Sequence, residues 1–156
     1  MRVHLCVVGR LRKGPEKTLV DEYLMRFDRS GRAMALGPAV LHEVEDKKGG
    51  GVTAEAALLR RTIPNGAKIC ALDERGQRWS SPEFSQRLAH WRDDGEQDLA
   101  FVIGGADGID AGLRDDAQDL LSFGPMVWPH MLVRVMLAEQ MYRAATILAG
   151  TPYHRV

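Results

Sequence analysis

Cysteine is scarce in this chain of 156 residues, with only Cys6 and Cys70. Each lies inside an apolar run, VHLCVVG and KICAL, where a thiol behaves as a small core hydrophobe in a reducing compartment. A chain of this length buries enough surface to stand without disulfide staples. Neither cysteine belongs to a group of about four Cys and His ligands at the short spacings a zinc site requires, so no metal is expected. Long hydrophobic runs are missing as well. The opening MRVHLCVVGRLRKG contains a stretch too short to span a bilayer and has no cleavage site, which leads us to expect a cytoplasmic protein with no membrane partner. Aromatic residues amount to 6%.

Net charge is also lacking, since 21 Lys and Arg balance 21 Asp and Glu. The balance conceals a polarity along the chain. Residues 1–78 carry 15 basic and 10 acidic side chains, whereas residues 79–156 carry 6 and 11. Arg10, Arg12, Lys13 and Lys17 gather around the first turn, and Lys47 and Lys48 precede three glycines. Local stripes of this kind decide whether a phosphate backbone is attracted, although solvated surface charge explains them equally well.

What is present is an alternation of short apolar runs with longer helical stretches. Val3–Val8 reads as a buried strand, and Pro15 opens a helix in which Leu19, Tyr23 and Phe27 recur. Further strands are expected at Val40–Val44, Lys68–Leu72 and Leu99–Ile103. Thr53 is expected to cap a helix running to Arg61, and Ser81-Pro82-Glu83 to begin one carrying Phe84, Leu88 and Trp91. Uniformly apolar strands separated by helices indicate an α/β domain with a mostly parallel sheet covered on both faces. No composition shift marks a second domain, so residues 1–156 read as one. Residues 47–51 read as a mobile loop, because consecutive glycines are costly to order.

From His130 to Ala149 the last helix is apolar around most of its circumference, with Glu139, Gln140, Arg143 and Thr146 sharing an arc of about 120°. Such a surface is either central to the core or shared with another subunit, and we expect a symmetric dimer. The Glu139/Arg143 pair fits a surface stabiliser or a functional pair at a subunit boundary. Two glycine patterns invite a nucleotide reading. Gly9-Arg-Leu-Arg-Lys-Gly14 is followed by Pro15 and Glu16, not the Lys and Ser/Thr of a phosphate loop. Gly104-Gly105-Ala106-Asp107-Gly108 ends the fourth strand. It admits either close approach of a flat ligand or a tight turn needing positive φ. Asp73, Glu74 and Asp107 read as ordinary turn carboxylates.

Several motifs then fall in order: ALDERG (71–76), FVIGGADG (101–108), SFGPMVWPH (122–130), Leu132-Val-Arg134, Glu139-Gln140, Tyr142-Arg143-Ala144 and Gly150-Thr-Pro-Tyr-His154. Together they resemble the large-subunit ribosomal RNA pseudouridine-N3 methyltransferases, the small single-domain branch of the SPOUT methyltransferases, over essentially the whole chain. The resemblance implies a C-terminal trefoil knot, a homodimer, S-adenosylmethionine as methyl donor and 23S rRNA in the ribosome or large subunit as substrate. It places the donor on Leu72, Gly104, Phe123, Gly124, Pro125, Met126, Val127 and Trp128. Relatives generally carry Thr where Val127 stands and a smaller residue than Trp128. It casts Arg143 as a cation supporting the anionic ring or a phosphate. His154 is cast as proton acceptor or positioning group, and Tyr153 as a stacking partner. His130 reads as a helix cap. The rival reading is a ribosome-binding module of the same fold without turnover.

Overall fold

A computed structural model describes residues 1–155. Its elements run β1 (Arg2–Val8), α1 (Pro15–Gly31), a 3-10 turn (Arg32–Met34), β2 (Ala39–Val44), α2 (Gly51–Thr62), β3 (Lys68–Gln77), α3 (Ser81–Asp93), β4 (Asp98–Ile103), α4 (Ala111–Asp116), β5 (Asp119–Leu121) and α5 (His130–Ala149). The sheet order is β2-β1-β4-β3-β5 and every pair is parallel. The uniformly apolar runs take the central places, as burial on both faces demands. Val3, Leu5 and Val7 point into one core with Val20, Leu24, Phe27, Leu88, Phe101, Leu137 and Met141. Cys6 and Val8 point into the other with Ala56, Leu59, Val102 and Leu113. Thus α1, α3 and α5 cover one face, and α2 and α4 the other. Both thiols are fully buried, on opposite faces, and burial pushes the Cys6 thiol up to about 11.

Several expectations need correction. The core stripe of α1 is Val20, Leu24, Phe27 and Gly31, whereas Leu19 is exposed and Tyr23 half-buried. The two helical rows lie one position apart, and contact with α5 selects between them. Thr53 caps nothing: α2 starts at Gly51, two residues earlier, with Gly50 in the cap position and no side-chain cap bond. The loop expected to be mobile is instead closed by Asp46, whose carboxylate accepts the N–H groups of Lys48 at 3.2 Å and Gly50 at 2.6 Å. The cap of α3 is Ser80, in a reciprocal box with Glu83. A six-residue α4 and a three-residue β5 are too short to leave a periodicity in sequence.

Much of α5 belongs to this chain's own core, with Leu137, Ala138, Met141, Ala144 and Ala145 buried. Arg134 is buried among them with 0% exposure. Its guanidinium donates to Glu43 Oε2 at 2.9 Å, to the Val8 carbonyl at 3.2 Å and to the Gly9 carbonyl at 3.0 Å. Glu43 Oε2 also accepts the Leu11 N–H at 2.7 Å. One ion pair therefore fastens α5 to the carboxyl ends of β1 and β2 and shapes the turn between β1 and α1. At the opposite edge, Asp98 accepts from His4 Nε2 at 2.8 Å and from Arg2 Nη2 at 3.0 Å, while His4 Nδ1 meets His42 Nε2 at 3.0 Å.

These two clusters carry separate expectations. Glu43→Gln strands the Arg134 cation in the core and should cost about 3 kcal/mol, read by urea denaturation. Acid should weaken the fold through the second cluster. His4 and Arg2 hold the Asp98 carboxyl below its ordinary value of 3.8, so its stabilisation is present above that pH and lost as pH falls through the folded value. Burial and His4 hold His42 below 6.5, so protonation on acidification also favours the unfolded chain. The urea midpoint should decline as pH falls from 6.5, with a shallower limb below pH 3.8 in Asp98→Asn.

Candidate functional site

The carboxyl ends of β3 and β4 open into a cavity of about 440 Å³. Three stretches wall it: Leu72–Arg75 in the bulged outer part of β3, Gly104–Ile109 after β4, and Leu121–Trp128 from the end of β5 toward α5, with His130 and Val133 of α5 behind. Leu72, Gly104, Phe123, Gly124, Met126, Val127 and Trp128 all line this one space. Pro125 stands exposed and outside the lining.

The local chain explains how each wall is held. Leu121 pairs with Leu72 and again with Gln77, and the register slips between them. The Ser122 N–H donates to the Gln77 carbonyl at 2.8 Å. Residues 73–76 are therefore thrown out as a loop at the mouth of the cavity, with Asp73 as a buried carboxylate near Arg75 at 3.5 Å and Arg114 at 3.8 Å. The two readings of the glycine motif separate here. The positive φ falls on Gly108, at 82°. Gly104 is required for another reason: a Cβ there would strike the Gly108 carbonyl and come within 2.9 Å of Ile109 Cγ1. The turn folds over itself, so glycine at 104 serves the loop's own packing.

His130 is the first residue of α5, not its cap; Pro129 holds the cap position without a side-chain bond. The ring lies over Gly9, with Nε2 at 3.5 Å from where a Cβ would sit. Burial and the nearby Arg134 hold its pKa below 6.5, so it forms an uncharged wall at neutral pH.

The proposed chemistry-bearing residues at the C-terminus assemble around Glu139. Arg143 Nη2 donates to Glu139 Oε1 at 2.6 Å, and its Nε donates at 3.0 Å. The Tyr153 hydroxyl donates to the same Oε1 at 3.0 Å. The Arg143 guanidinium lies 4.8 Å from the centre of the Tyr153 ring. His154 Nδ1 sits 3.2 Å from Arg143 Nη1. A guanidinium only donates, so Nδ1 is the acceptor and the ring proton resides on Nε2. That Nε2 is buried and has no partner among the described residues. Burial and Glu139 push the Tyr153 hydroxyl up to about 12, and hydrogen bonding to Glu139 raises Arg143 further above its ordinary value. The spacing of Glu139 and Arg143 left its role open; the structure makes it the common acceptor of the cluster.

In one chain this cluster does not line the cavity. Glu139 and Gln140 border a second, apolar cavity of about 530 Å³ between α1, α3 and α5, which meets the first only along Leu121–Gly124. Asp73 is a cavity residue that composition could not separate from an ordinary turn carboxylate. Its burial is visible only once β3 and α4 are in place. The Ser122–Trp128 segment leaves Met126 71% and Val127 90% exposed, and Met131 and Leu132 continue the exposed apolar surface onto α5. Among the described residues no cluster of three or more His, Cys, Asp or Glu can hold a metal, and no helix is long and apolar enough to cross a membrane.

Comparison with known proteins identifies the family. The chain is 70% identical over 156 residues to the ribosomal RNA large subunit methyltransferase H of a Ruegeria species, covering all of both chains. It is 66% identical to the protein of the same name from Paracoccus denitrificans, covering 99% of each. Among solved structures, a probable methyltransferase from Bordetella pertussis superposes with a TM-score of 0.51 at 14% identity, over 92% of this chain and 96% of that one. A probable methylase family protein from Haemophilus influenzae gives 0.51 at 10%, over 99% and 70%. Residues 1–154 match the model described as predicted SPOUT methyltransferase, and the chain belongs to the SPOUT methyltransferase family.

Proposed function

We propose that this protein transfers a methyl group from S-adenosylmethionine to N3 of a pseudouridine in 23S rRNA, within the ribosome or large subunit. The observation carrying the reading is the single cavity that gathers Leu72, Gly104, Phe123, Gly124, Met126, Val127 and Trp128 from three separate turns. Its size and lining suit the donor, since apolar walls and main-chain groups hold an adenine while Asp73 and Asp107 can accept from ribose hydroxyls. Because the contacts are mainly main-chain, a valine at position 127 is compatible with binding. The names of the relatives at 66–70% identity support ribosomal RNA as the substrate.

The donor supplies an electrophilic methyl on sulfur, and displacement by a ring nitrogen requires alignment and exclusion of water. The cluster supplies the rest. Glu139 fixes Arg143 as a permanent cation beside the ring anion that forms as N3 loses its proton. His154 Nε2–H donates to a ring carbonyl oxygen, while Tyr153 braces the pair by its bond to Glu139. His154 therefore acts as a donor, and the N3 proton leaves to solvent.

The reading includes a twofold dimer and a trefoil knot. The exposed Met126, Val127, Met131 and Leu132 favour the dimer, and the passage of Leu121–Ser122 against the 73–77 loop favours the knot. Pairing about α5 would set the Glu139–Arg143–Tyr153–His154 cluster of one subunit at the cavity of the other, joining what one chain keeps apart. Localisation in the cytoplasm follows from the substrate.

Four measurements examine this. Calorimetry should show S-adenosylhomocysteine binding that falls about tenfold or more in Ala106→Trp, which fills the cavity from an exposed position; unchanged affinity would remove the cavity from the account. Methyl transfer to large subunits should drop about 100-fold in His154→Ala but substantially less in His154→Gln, which retains an N–H donor. A tyrosinate absorbance titration should show Tyr153 still protonated at pH 11. Co-expressed Ala106→Trp and Arg143→Ala subunits, each inactive alone, should regain activity together if the site spans the seam, and should stay inactive if it lies within one chain.

A further inference from the structure

The two turns that follow β1 and β2 carry five exposed cations: Arg10, Arg12, Lys13, Lys47 and Lys48. Their neighbours do not neutralise them. Arg10 Nε lies 3.8 Å from Glu45 Oε2, a loose contact between exposed groups. Among the described residues, Arg12, Lys13, Lys47 and Lys48 have no carboxylate within 4.0 Å. Of the acidic residues at the root of these turns, Glu43 is committed to Arg134 and to the Leu11 N–H, Asp46 to the N–H groups of Lys48 and Gly50, and Glu45 makes only the loose contact with Arg10. Nor are the turns loose. Leu11 is 9% exposed and packs in the core, which forces Arg10 and Arg12 on either side of it outward. Asp46 closes the second turn through Lys48 and Gly50. Backbone held in this way leaves only the side chains to be ordered when the turns bind.

The placement gives the array a direction. Val8 pairs with Val44 and Val7 with Ile103, so both turns leave the sheet at the level of Gly104. The His130 ring, a wall of the methyl-donor cavity, lies where a side chain at position 9 would meet it, 3.5 Å from a Cβ built on Gly9. On the far side, Glu55 is flanked by Asp46 and Asp107, and burial together with these two raises its pKa. This acidic flank near Gly105 repels a phosphate chain that strays toward α2. We infer that the Arg10–Lys13 and Lys47–Lys48 turns form a docking track for the sugar–phosphate backbone of the substrate RNA, carrying it past His130 toward the cavity. The inference rests on the rRNA reading above. The track recognises phosphate and not sequence; the choice of nucleotide belongs to the site itself.

The test is steady-state methylation of large subunits across a salt series, with S-adenosylhomocysteine affinity measured in parallel. The variant Arg12→Gln/Lys13→Gln/Lys47→Gln/Lys48→Gln removes four of the five charges outside the cavity and the Arg143 cluster. Its KM should rise about tenfold or more near physiological salt, and the slope of log KM against log salt should fall by roughly 3, as loss of four phosphate contacts requires. Its kcat and S-adenosylhomocysteine affinity should stay at wild-type values. Arg29→Gln/Arg32→Gln, which removes exposed cations at the opposite edge of the sheet, should leave KM and slope unchanged. A wild-type KM and slope in the quadruple variant overturns the track, as does an equal loss in the control. Wild-type protein that neither binds nor methylates the subunit overturns the rRNA reading and the track with it.

Discussion

A single buried guanidinium holds the architecture to its purpose. Arg134 lies inside the protein because three acceptors on two strands and a turn, the Glu43 carboxylate and the Val8 and Gly9 carbonyls, are arranged to receive it. Its partner Glu43 serves the chain twice, accepting the cation and the Leu11 N–H from opposite sides. Desolvating such a pair yields little net stability, yet leaving either member alone is expensive. The arrangement therefore acts as a register pin: α5 has one position along the sheet in which both terminal nitrogens of Arg134 meet their acceptors. That position sets His130 over Gly9 at one end of the helix and presents Glu139 and Arg143 at the other.

Two functional groupings follow from this placement. The first is a cavity made almost entirely of turns at the carboxyl edge of the sheet, where parallel strands commonly leave room for a ligand. The second is a knot of side chains around Glu139, internally satisfied apart from the Nε2 of His154. Neither contains the other's residues. Their separation within one chain, together with the exposed apolar surface between them, is the strongest structural reason to regard the dimer as the working unit in the proposed methyl transfer.

The legible parts of the sequence were those written in long patterns. β1 and β4 announced themselves as unbroken apolar runs because both faces of the sheet are covered. α5 declared itself by length and by a wide apolar surface, though most of that surface proved to be this chain's own core. Short elements left too little pattern: α4 and β5 span six and three residues. Of the row expected on α1, Phe27 is buried and Tyr23 half-buried, whereas Leu19 is exposed and Val20 and Leu24 take the core positions, a choice that two adjacent apolar residues at 19 and 20 leave open in the sequence. Thr53 failed as a cap because the glycines before it allow the helix to start earlier. The residues that line the cavity were singled out only through ordered motifs, since no local spacing relates Leu72 to Gly104 and Trp128. The commitment of the Tyr153 hydroxyl and of His154 Nδ1 depends on where the tail folds back, which no local pattern records.

The grip on Leu121 has a temporal consequence. Leu72 and Gln77 both hold it, so the mouth formed by residues 73–76 is complete only after β5 has been laid down and the segment leading to α5 has passed beside it. During synthesis these are among the last residues to emerge. A nascent chain that ends before β5, lacking about its final quarter, has the two inner walls of the pocket without the third. Under the proposed function, donor occupancy would serve as a certificate of completed assembly, since a ligand of this cavity stabilises only molecules whose tail is already in place.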